Sequence, residues 1–171
     1  GGEYGNLRLR GKSSVGTASS NIDYSTITFG LGNEAGVSCS GDIRTLVDYK
    51  NYAAANTENA RFCWLFYECA SLLTAPELPA TKLADGCYMG MFGGCTSLTQ
   101  APELPATELA EDCYSYMFAR CTSLINVPEL PATNLTVGCY DDMFGGCTSL
   151  TQAPELPATK LAAGCYYGMF E

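Results

Sequence analysis

The chain of 171 residues contains no histidine. Without histidine, the Cys–His and Ser–His–Asp arrangements of nucleophilic catalysis cannot form, and a zinc site would need cysteines or carboxylates alone. The sequence also lacks a phosphate-binding loop and a dinucleotide-binding fingerprint. We therefore predict no catalytic residue, no metal site and no cofactor, and we expect the protein not to be an enzyme.

Basic residues are scarce beyond residue 68. Residues 69–171 hold three basic residues against eleven acidic ones, a net charge of −8 within a total of −9. Nucleic acids and anionic membranes are bound through clustered Lys and Arg, so neither is expected as a partner. Since no apolar run reaches the length of a membrane span, we expect no membrane insertion. The chain opens without a signal segment, lacks an initiator Met and stops within a repeat, and we interpret it as a monomeric fragment of a longer protein.

A 26-residue repeat organises two thirds of the chain. Four copies, at residues 69–94, 95–120, 121–146 and 147–171, share fourteen identical positions, and we call them repeats 1 to 4. A fixed period of this length is typical of a solenoid, in which each coil shares its core with its neighbours. Residues 57–68 are interpreted as a degenerate half-repeat, because Phe62 and Phe66 fall where Tyr88 and Phe92 lie one period later.

Each repeat divides into two predicted elements. Residues 98–101 are expected to form a brief strand that pairs in parallel with its equivalents, because Pro102 and Pro105 lack the N–H that a longer ladder needs. Residues 109–118 carry apolar side chains four apart, which predicts a short helix. The predicted fold class is therefore α/β, a right-handed leucine-rich-repeat solenoid of short parallel strands and short helices.

Residues 1–56 do not repeat and are predicted to form a β-rich N-terminal cap on the array of residues 57–171. Strands are expected at residues 7–10, 27–29 and 37–40, turns at 11–20 and 30–36, and a short helical segment after an N-cap at Asp42. A solenoid needs an atypical unit over its open end, which favours the cap. The alternative is a separate small β domain.

The pattern CxSLxxxPxLPATxLxxxCYxxMFxxC resembles the bacterial surface leucine-rich repeats often called BspA-like. The resemblance covers residues 57–171. It implies a secreted or surface-anchored protein of host-associated anaerobic bacteria with a role in adhesion, and it brings no catalytic residue with it. Pro102 and Pro105 replace strand residues that are common in other members, so the concave sheet is expected to be narrower.

Eight of the ten cysteines fall on two columns, the first at Cys69, Cys95, Cys121 and Cys147 and the second at Cys87, Cys113, Cys139 and Cys165. Adjacent helices would separate the second column by about 8–10 Å, too far for a disulfide, which needs Cα atoms within about 7 Å. Strand spacing of about 4.8 Å permits bonds in the first column, although stacked side chains point the same way. We favour buried free thiols, with disulfides or a metal as the alternatives.

A glutamate also recurs once in every repeat, giving an acidic column of Glu77, Glu103, Glu129 and Glu155. Carboxylates about 5 Å apart repel one another, so this column must face water or meet cations. The hypotheses are a calcium or basic-partner site and a solvated edge that blocks aggregation. A tyrosine column is interpreted as aromatic stacking between coils, or as a platform for a sugar.

Positions that differ between repeats are where a binding site would gain specificity. After the invariant leucine, several repeats carry uncharged polar side chains that would lie on the concave face, the usual binding surface of a solenoid. These candidate binding residues are Thr99, Gln100, Asn126, Thr151 and Gln152. We predict an extracellular or cell-surface module that binds a host or bacterial surface protein or glycan. The alternatives are solvated strand residues without a ligand, and a structural spacer that displays another domain.

Overall fold

The computed structural model of the protein describes residues 7–29 and 36–171. Its named elements are strand β1 (Val37–Ser38), 3₁₀ helix η1 (Ile43–Leu46), 3₁₀ helix η2 (Tyr52–Ala54) and strand β2 (Leu72–Thr74). β1 and β2 form a small parallel sheet in which Val37 lies opposite Leu72 and Ser38 opposite Thr74. Parallel pairing is thus confirmed at this coarse level, whereas both 3₁₀ helices lie before the repeats.

The helix predicted at residues 109–118 of each repeat is wrong, because consecutive tight turns replace it. Every second N–H closes a turn by donating to the carbonyl of the residue three positions earlier, as the Met117 N–H does to the Tyr114 carbonyl at 3.1 Å. Asp112, Tyr116 and Arg120 have positive φ angles of 52°, 56° and 61°. An α-helix needs negative φ throughout, so a left-handed residue at every fourth position excludes it.

The N–H groups that do not close turns bond to the following repeat. The Tyr114 N–H donates to the Cys139 carbonyl at 3.0 Å, and the Phe118 N–H donates to the Met143 carbonyl at 2.9 Å. Donor and acceptor lie 25 residues apart, so equivalent segments run side by side. Along the turn segment, the backbone N–H groups therefore donate alternately to a carbonyl of the same repeat and to a carbonyl of the next repeat.

Two columns of aromatic rings run through the interior. Phe66, Phe92, Phe118, Phe144 and Phe170 stack with centroids 5.6–5.8 Å apart and ring planes within 11° of parallel. The second column has centroids 5.8 Å apart and consists of Tyr88, Tyr114, Tyr140 and Tyr166. These are offset-stacked pairs. They confirm that the tyrosine column stacks between repeats.

The predicted strand at residues 98–101 is reduced to a single parallel bridge, between Gln100 and Asn126. Further isolated parallel bridges join Lys82 to Glu108 and Asn134 to Lys160. The pairing is parallel, as predicted. In repeat 2 the bridging residues are Gln100 and Glu108, and the prolines between them interrupt the pairing because they have no N–H to donate. In the core below, Leu98 and Leu124 are fully buried.

The degenerate half-repeat of residues 57–68 follows the pattern of the full repeats. Phe62 stacks on Tyr88 at 6.0 Å, and Phe66 stacks on Phe92 at 5.8 Å. The Phe62 N–H donates to the Cys87 carbonyl at 2.7 Å. Both aromatic residues therefore occupy the positions that their sequence alignment predicts.

The segment before residue 57 is not β-rich over its described residues. Neither 7–10 nor 27–29 forms a strand, and β1 is two residues long rather than four. The N-cap is confirmed, because Asp42 Oδ1 accepts from the Arg44 N–H at 2.8 Å at the start of η1. The turn predicted at 30–36 lies, except for Gly36, outside the described residues. Short polar side chains and glycines give this segment turns rather than ladders.

This N-terminal segment lies against the start of the array. The Thr17 N–H donates to the Arg61 carbonyl at 2.9 Å, and the Ile27 N–H donates to the Leu65 carbonyl at 2.6 Å. Ile43 belongs to the same buried cluster as the core of the repeats. Among the described residues, no helix has the length and apolar character needed to cross a membrane.

Candidate binding surface

The residues that follow the invariant leucine form one exposed surface, which we call the ribbon. Its members are Leu73, Thr74, Thr99, Gln100, Ile125, Asn126, Thr151 and Gln152, and all are exposed. The backbone below them is fixed by the Gln100–Asn126 bridge and by the Ile125 N–H, which donates to the Thr99 carbonyl at 3.1 Å. The ribbon is therefore a row of exposed side chains on a paired backbone, and of these the Thr74 hydroxyl donates to the Cys39 carbonyl at 2.8 Å.

The structure places all five predicted binding residues in this ribbon. It brings Gln100 and Asn126 side by side, whereas Thr151 and Gln152 lie at the end of the row, where they line an open cavity of about 440 Å³. Their amide and hydroxyl groups face solvent and are free to exchange hydrogen bonds with a ligand. That any of them binds a ligand stays a prediction.

Three ribbon residues, Leu73, Thr74 and Ile125, were not among the predicted binding residues. Leu73 and Ile125 are 41% and 48% exposed, although both are large and apolar. The residue directly after the invariant leucine is thus apolar in repeats 1 and 3, and it is Thr99 or Thr151 in repeats 2 and 4. The position of Leu73 and Ile125 in the repeat, directly after the invariant leucine, was the signal that could have identified them.

The acidic column lies at the surface. Glu77, Glu103, Glu129 and Glu155 are all exposed, and the Glu77 backbone pairs with the Gly41 carbonyl and the Ile43 N–H of the N-terminal segment. Within the described ranges, no three His, Cys, Asp or Glu side chains gather as metal ligands. The calcium or basic-partner hypothesis for this column stays untested.

A second group of carboxylates lies on the turn segments, at Asp112, Asp141 and Asp142. Partial burial raises the pKa of each above its ordinary value, and neighbouring carboxylates raise the pKa further. The Asp141 Oδ1 atom is buried and has no hydrogen-bond partner in the described part of the chain. This arrangement costs stability when the carboxylates are ionised.

All ten cysteines are free thiols, and nine of them are buried. Sγ of Cys95, Cys121 and Cys147 donates at 3.0–3.1 Å to the carbonyl of the phenylalanine 29 residues earlier, which is Phe66, Phe92 and Phe118 respectively. Burial raises the pKa of the Cys95 thiol to about 12. A thiol that stays protonated at neutral pH is a poor nucleophile and a poor metal ligand. The favoured hypothesis of buried thiols is confirmed, although the helix spacing used to argue for the second column does not exist.

Comparison of the chain with protein-family models, with curated protein sequences and with solved structures found no match. The resemblance to BspA-like repeats therefore rests on the sequence pattern alone and stays a hypothesis. What the geometry itself provides is a long exposed ribbon with mixed polar and apolar side chains above an invariant core.

Proposed function

We propose that this chain is a non-enzymatic interaction module that binds its ligand through the ribbon. The observation that carries the proposal is a contrast within each repeat. The leucine below the ribbon is the same in all four repeats and is buried in the first three, whereas the two ribbon residues after it are exposed and vary, being Leu-Thr in repeat 1, Ile-Asn in repeat 3 and Thr-Gln in repeats 2 and 4. An interaction surface needs such freedom at exposed positions, and a core does not.

The finer fold assignment that supports this proposal is a right-handed solenoid of the leucine-rich-repeat type, in which tight turns occupy the place of helices. Aromatic stacking between residues 26 apart and parallel bridges from repeat to repeat both favour it. Residues 1–56 would then act as the N-terminal cap, in keeping with their hydrogen bonds to the start of the array.

The partner we propose is a surface protein or glycan of a host or of another bacterium. Uncharged amides and hydroxyls next to Leu73 and Ile125 suit a ligand with both hydroxyl groups and apolar faces, as saccharides and extended peptides have. The resemblance to BspA-like repeats adds adhesion and an extracellular or cell-surface location to the proposal.

A structural spacer is the second candidate function. It is favoured by the regularity of the interior, since the Phe and Tyr columns repeat with nearly constant spacing along the whole array. A spacer needs this stiffness and makes no use of the ribbon.

The test is capture on a printed glycan array and on immobilised extracellular-matrix proteins. The triple variant Thr99→Lys, Gln100→Lys and Gln152→Lys should lose at least tenfold in retained signal, because it places three cations on the ribbon. The matched control Thr107→Lys, Thr122→Lys and Thr148→Lys adds the same charge at exposed positions outside the ribbon and should retain binding. Equal loss in both variants, or no capture of the unaltered chain, would favour the spacer.

A further inference from the structure

Basic residues that precede the array gather on one exposed surface, which we call the cationic patch. Its members are Arg8, Arg10, Lys12 and Lys50, and all four side chains are exposed. None of the four forms an ion pair with a carboxylate of the described residues. Residues 69–171, in contrast, carry a net charge of −8. The charge of the molecule is therefore segregated into a positive surface on the N-terminal segment and a negative array.

The backbone brings the two parts of the cationic patch together. The Tyr49 N–H donates to the Gly11 carbonyl at 3.2 Å, so the segment that carries Lys50 runs beside the segment that carries the other three cations. A Cβ at Gly11 would lie 2.0 Å from the Leu46 carbonyl oxygen, so this position faces the body of the protein. Successive side chains of an extended chain point to opposite sides, and the exposed Arg10 accordingly faces solvent.

One aromatic ring holds two of the cations near each other. The Arg10 guanidinium carbon lies 5.7 Å from the centre of the Tyr49 ring, and the Lys50 Nζ lies 5.9 Å from it. Each cation is attracted to the ring, but the two like charges repel each other. Tyr49 is 38% exposed, so the ring itself is part of the surface. An anion that contacts both cations would offset their repulsion.

We propose that the cationic patch binds a sulfated saccharide, with a sugar ring packed on Tyr49. Sulfate oxygens accept charge-assisted hydrogen bonds from the Arg10 guanidinium and the Lys50 ammonium group. The apolar face of the tyrosine ring packs against the C–H groups of the sugar. The proposal goes beyond the proposed function, because the patch lies outside the ribbon and takes charged sugars, whereas the candidate binding residues of the ribbon are uncharged.

The acidic column favours a short saccharide over a nucleic acid. This column begins beside the N-terminal segment, since the Ile43 N–H donates to the Glu77 carbonyl at 3.1 Å. A nucleic acid that extends beyond the patch would approach these carboxylates and be repelled by them. An oligosaccharide can place its sulfates on the patch alone. A sulfated saccharide is therefore the anion that the charge distribution suits.

The experiment measures binding of a heparin octasaccharide to the intact chain by isothermal titration calorimetry. The double variant Arg10→Gln and Lys50→Gln should lose at least about tenfold in affinity, because two charge-assisted hydrogen bonds are removed. The matched control Arg120→Gln and Lys160→Gln removes the same charge from exposed positions of the array and should bind as the unaltered chain does. Tyr49→Leu keeps every charge and should lose about threefold or more. Circular dichroism reports that each variant stays folded.

Four results would overturn the proposal. One is the absence of binding by the unaltered chain at low salt. Another is an equal loss in the two double variants, since the saccharide would then respond to net charge alone. The third is an unchanged affinity of Tyr49→Leu. The last is equally tight binding of a single-stranded DNA with the same number of charges, which would make the patch a general site for polyanions. Capture of uncharged glycans by the ribbon does not enter these measurements, so the two proposals fail separately.

Discussion

Repeats 3 and 4 share their invariant residues, yet their side chains have different surroundings. Leu135 is 8% exposed and Leu161 is 68% exposed, although each follows the same Pro-Ala-Thr sequence at the same distance. The difference lies in the neighbour, because repeat 3 is covered on both sides and repeat 4 on one. Burial in this molecule is thus a property of the stack and not of the single repeat, as expected when stability is a sum of nearest-neighbour interfaces.

The largest expected effect comes from removing the same ring in two repeats. Phe118→Ala should cost about 3–5 kcal/mol of unfolding free energy, because the ring is fully buried between two neighbours. Phe170→Ala should cost about 1–2 kcal/mol, since half of that ring already faces water. Urea titration followed by circular dichroism measures both. Equal costs would mean that position in the stack does not control stability.

Two glycines differ in the space that surrounds them, one in repeat 1 and one in repeat 4. Gly90 and Gly164 both have positive φ, at 59° and 64°, but a Cβ at Gly90 would lie 2.0 Å from the Trp64 ring, whereas a Cβ at Gly164 would meet nothing within 4 Å. Gly164→Ala should cost about 1–2 kcal/mol through strain alone. Gly90→Ala should cost about 3 kcal/mol, because the ring must also move. Thermal unfolding of the two variants compares them, and a smaller loss for Gly90→Ala would contradict the packing of Trp64.

Thiol labelling should rank the repeats by accessibility. Cys39 is half-buried and should react first, followed by Cys147 and Cys165 of repeat 4, with Cys95 and Cys121 last because they need the array to open. Peptide mass spectrometry after timed alkylation gives the order. All ten thiols should react after denaturation without a reductant, and a smaller number would show disulfides and refute the free-thiol assignment.

The smallest expected effect is electrostatic. Burial raises the pKa of Asp141, so between its unfolded and folded pKa values the folded state binds more protons than the unfolded state does. The contribution of this group to stability therefore falls as pH rises through that window, and the loss is complete at neutral pH. Asp141→Asn should raise the unfolding free energy by about 0.5 kcal/mol at pH 7 and leave it nearly unchanged near pH 3.

The control for this prediction is Glu155→Gln, which removes the same charge at an exposed position of repeat 4. Its change between pH 7 and pH 3 should be the smaller of the two. An Asp141→Asn variant that loses stability at pH 7 would show that the carboxylate has a favourable partner.

Sequence reasoning predicted the stacking of aromatic residues and the exposure of the ribbon, and it failed at the turn segment. Cys113, Tyr114, Met117 and Phe118 recur at four-residue spacing, which fits one face of a helix. A chain of four-residue turns places the same side chains inward, so the apolar pattern alone did not separate the two. The glycines at 86, 90 and 94, four apart and all with positive φ, were the available signal for turns.

What the sequence determined by itself was the period, and with it which residues would lie above one another. Identical side chains spaced 26 apart can share a core only if their segments run side by side, and the Phe and Tyr columns do so. Only the tertiary structure decided how each repeat bends and which faces stay open. Turn geometry depends on backbone angles that Asp112 and Tyr116 adopt against their intrinsic preference, held there by hydrogen bonds to the next repeat. The exposure of apolar side chains in repeat 4 likewise depends on the neighbours that a repeat has, which its own residues do not specify.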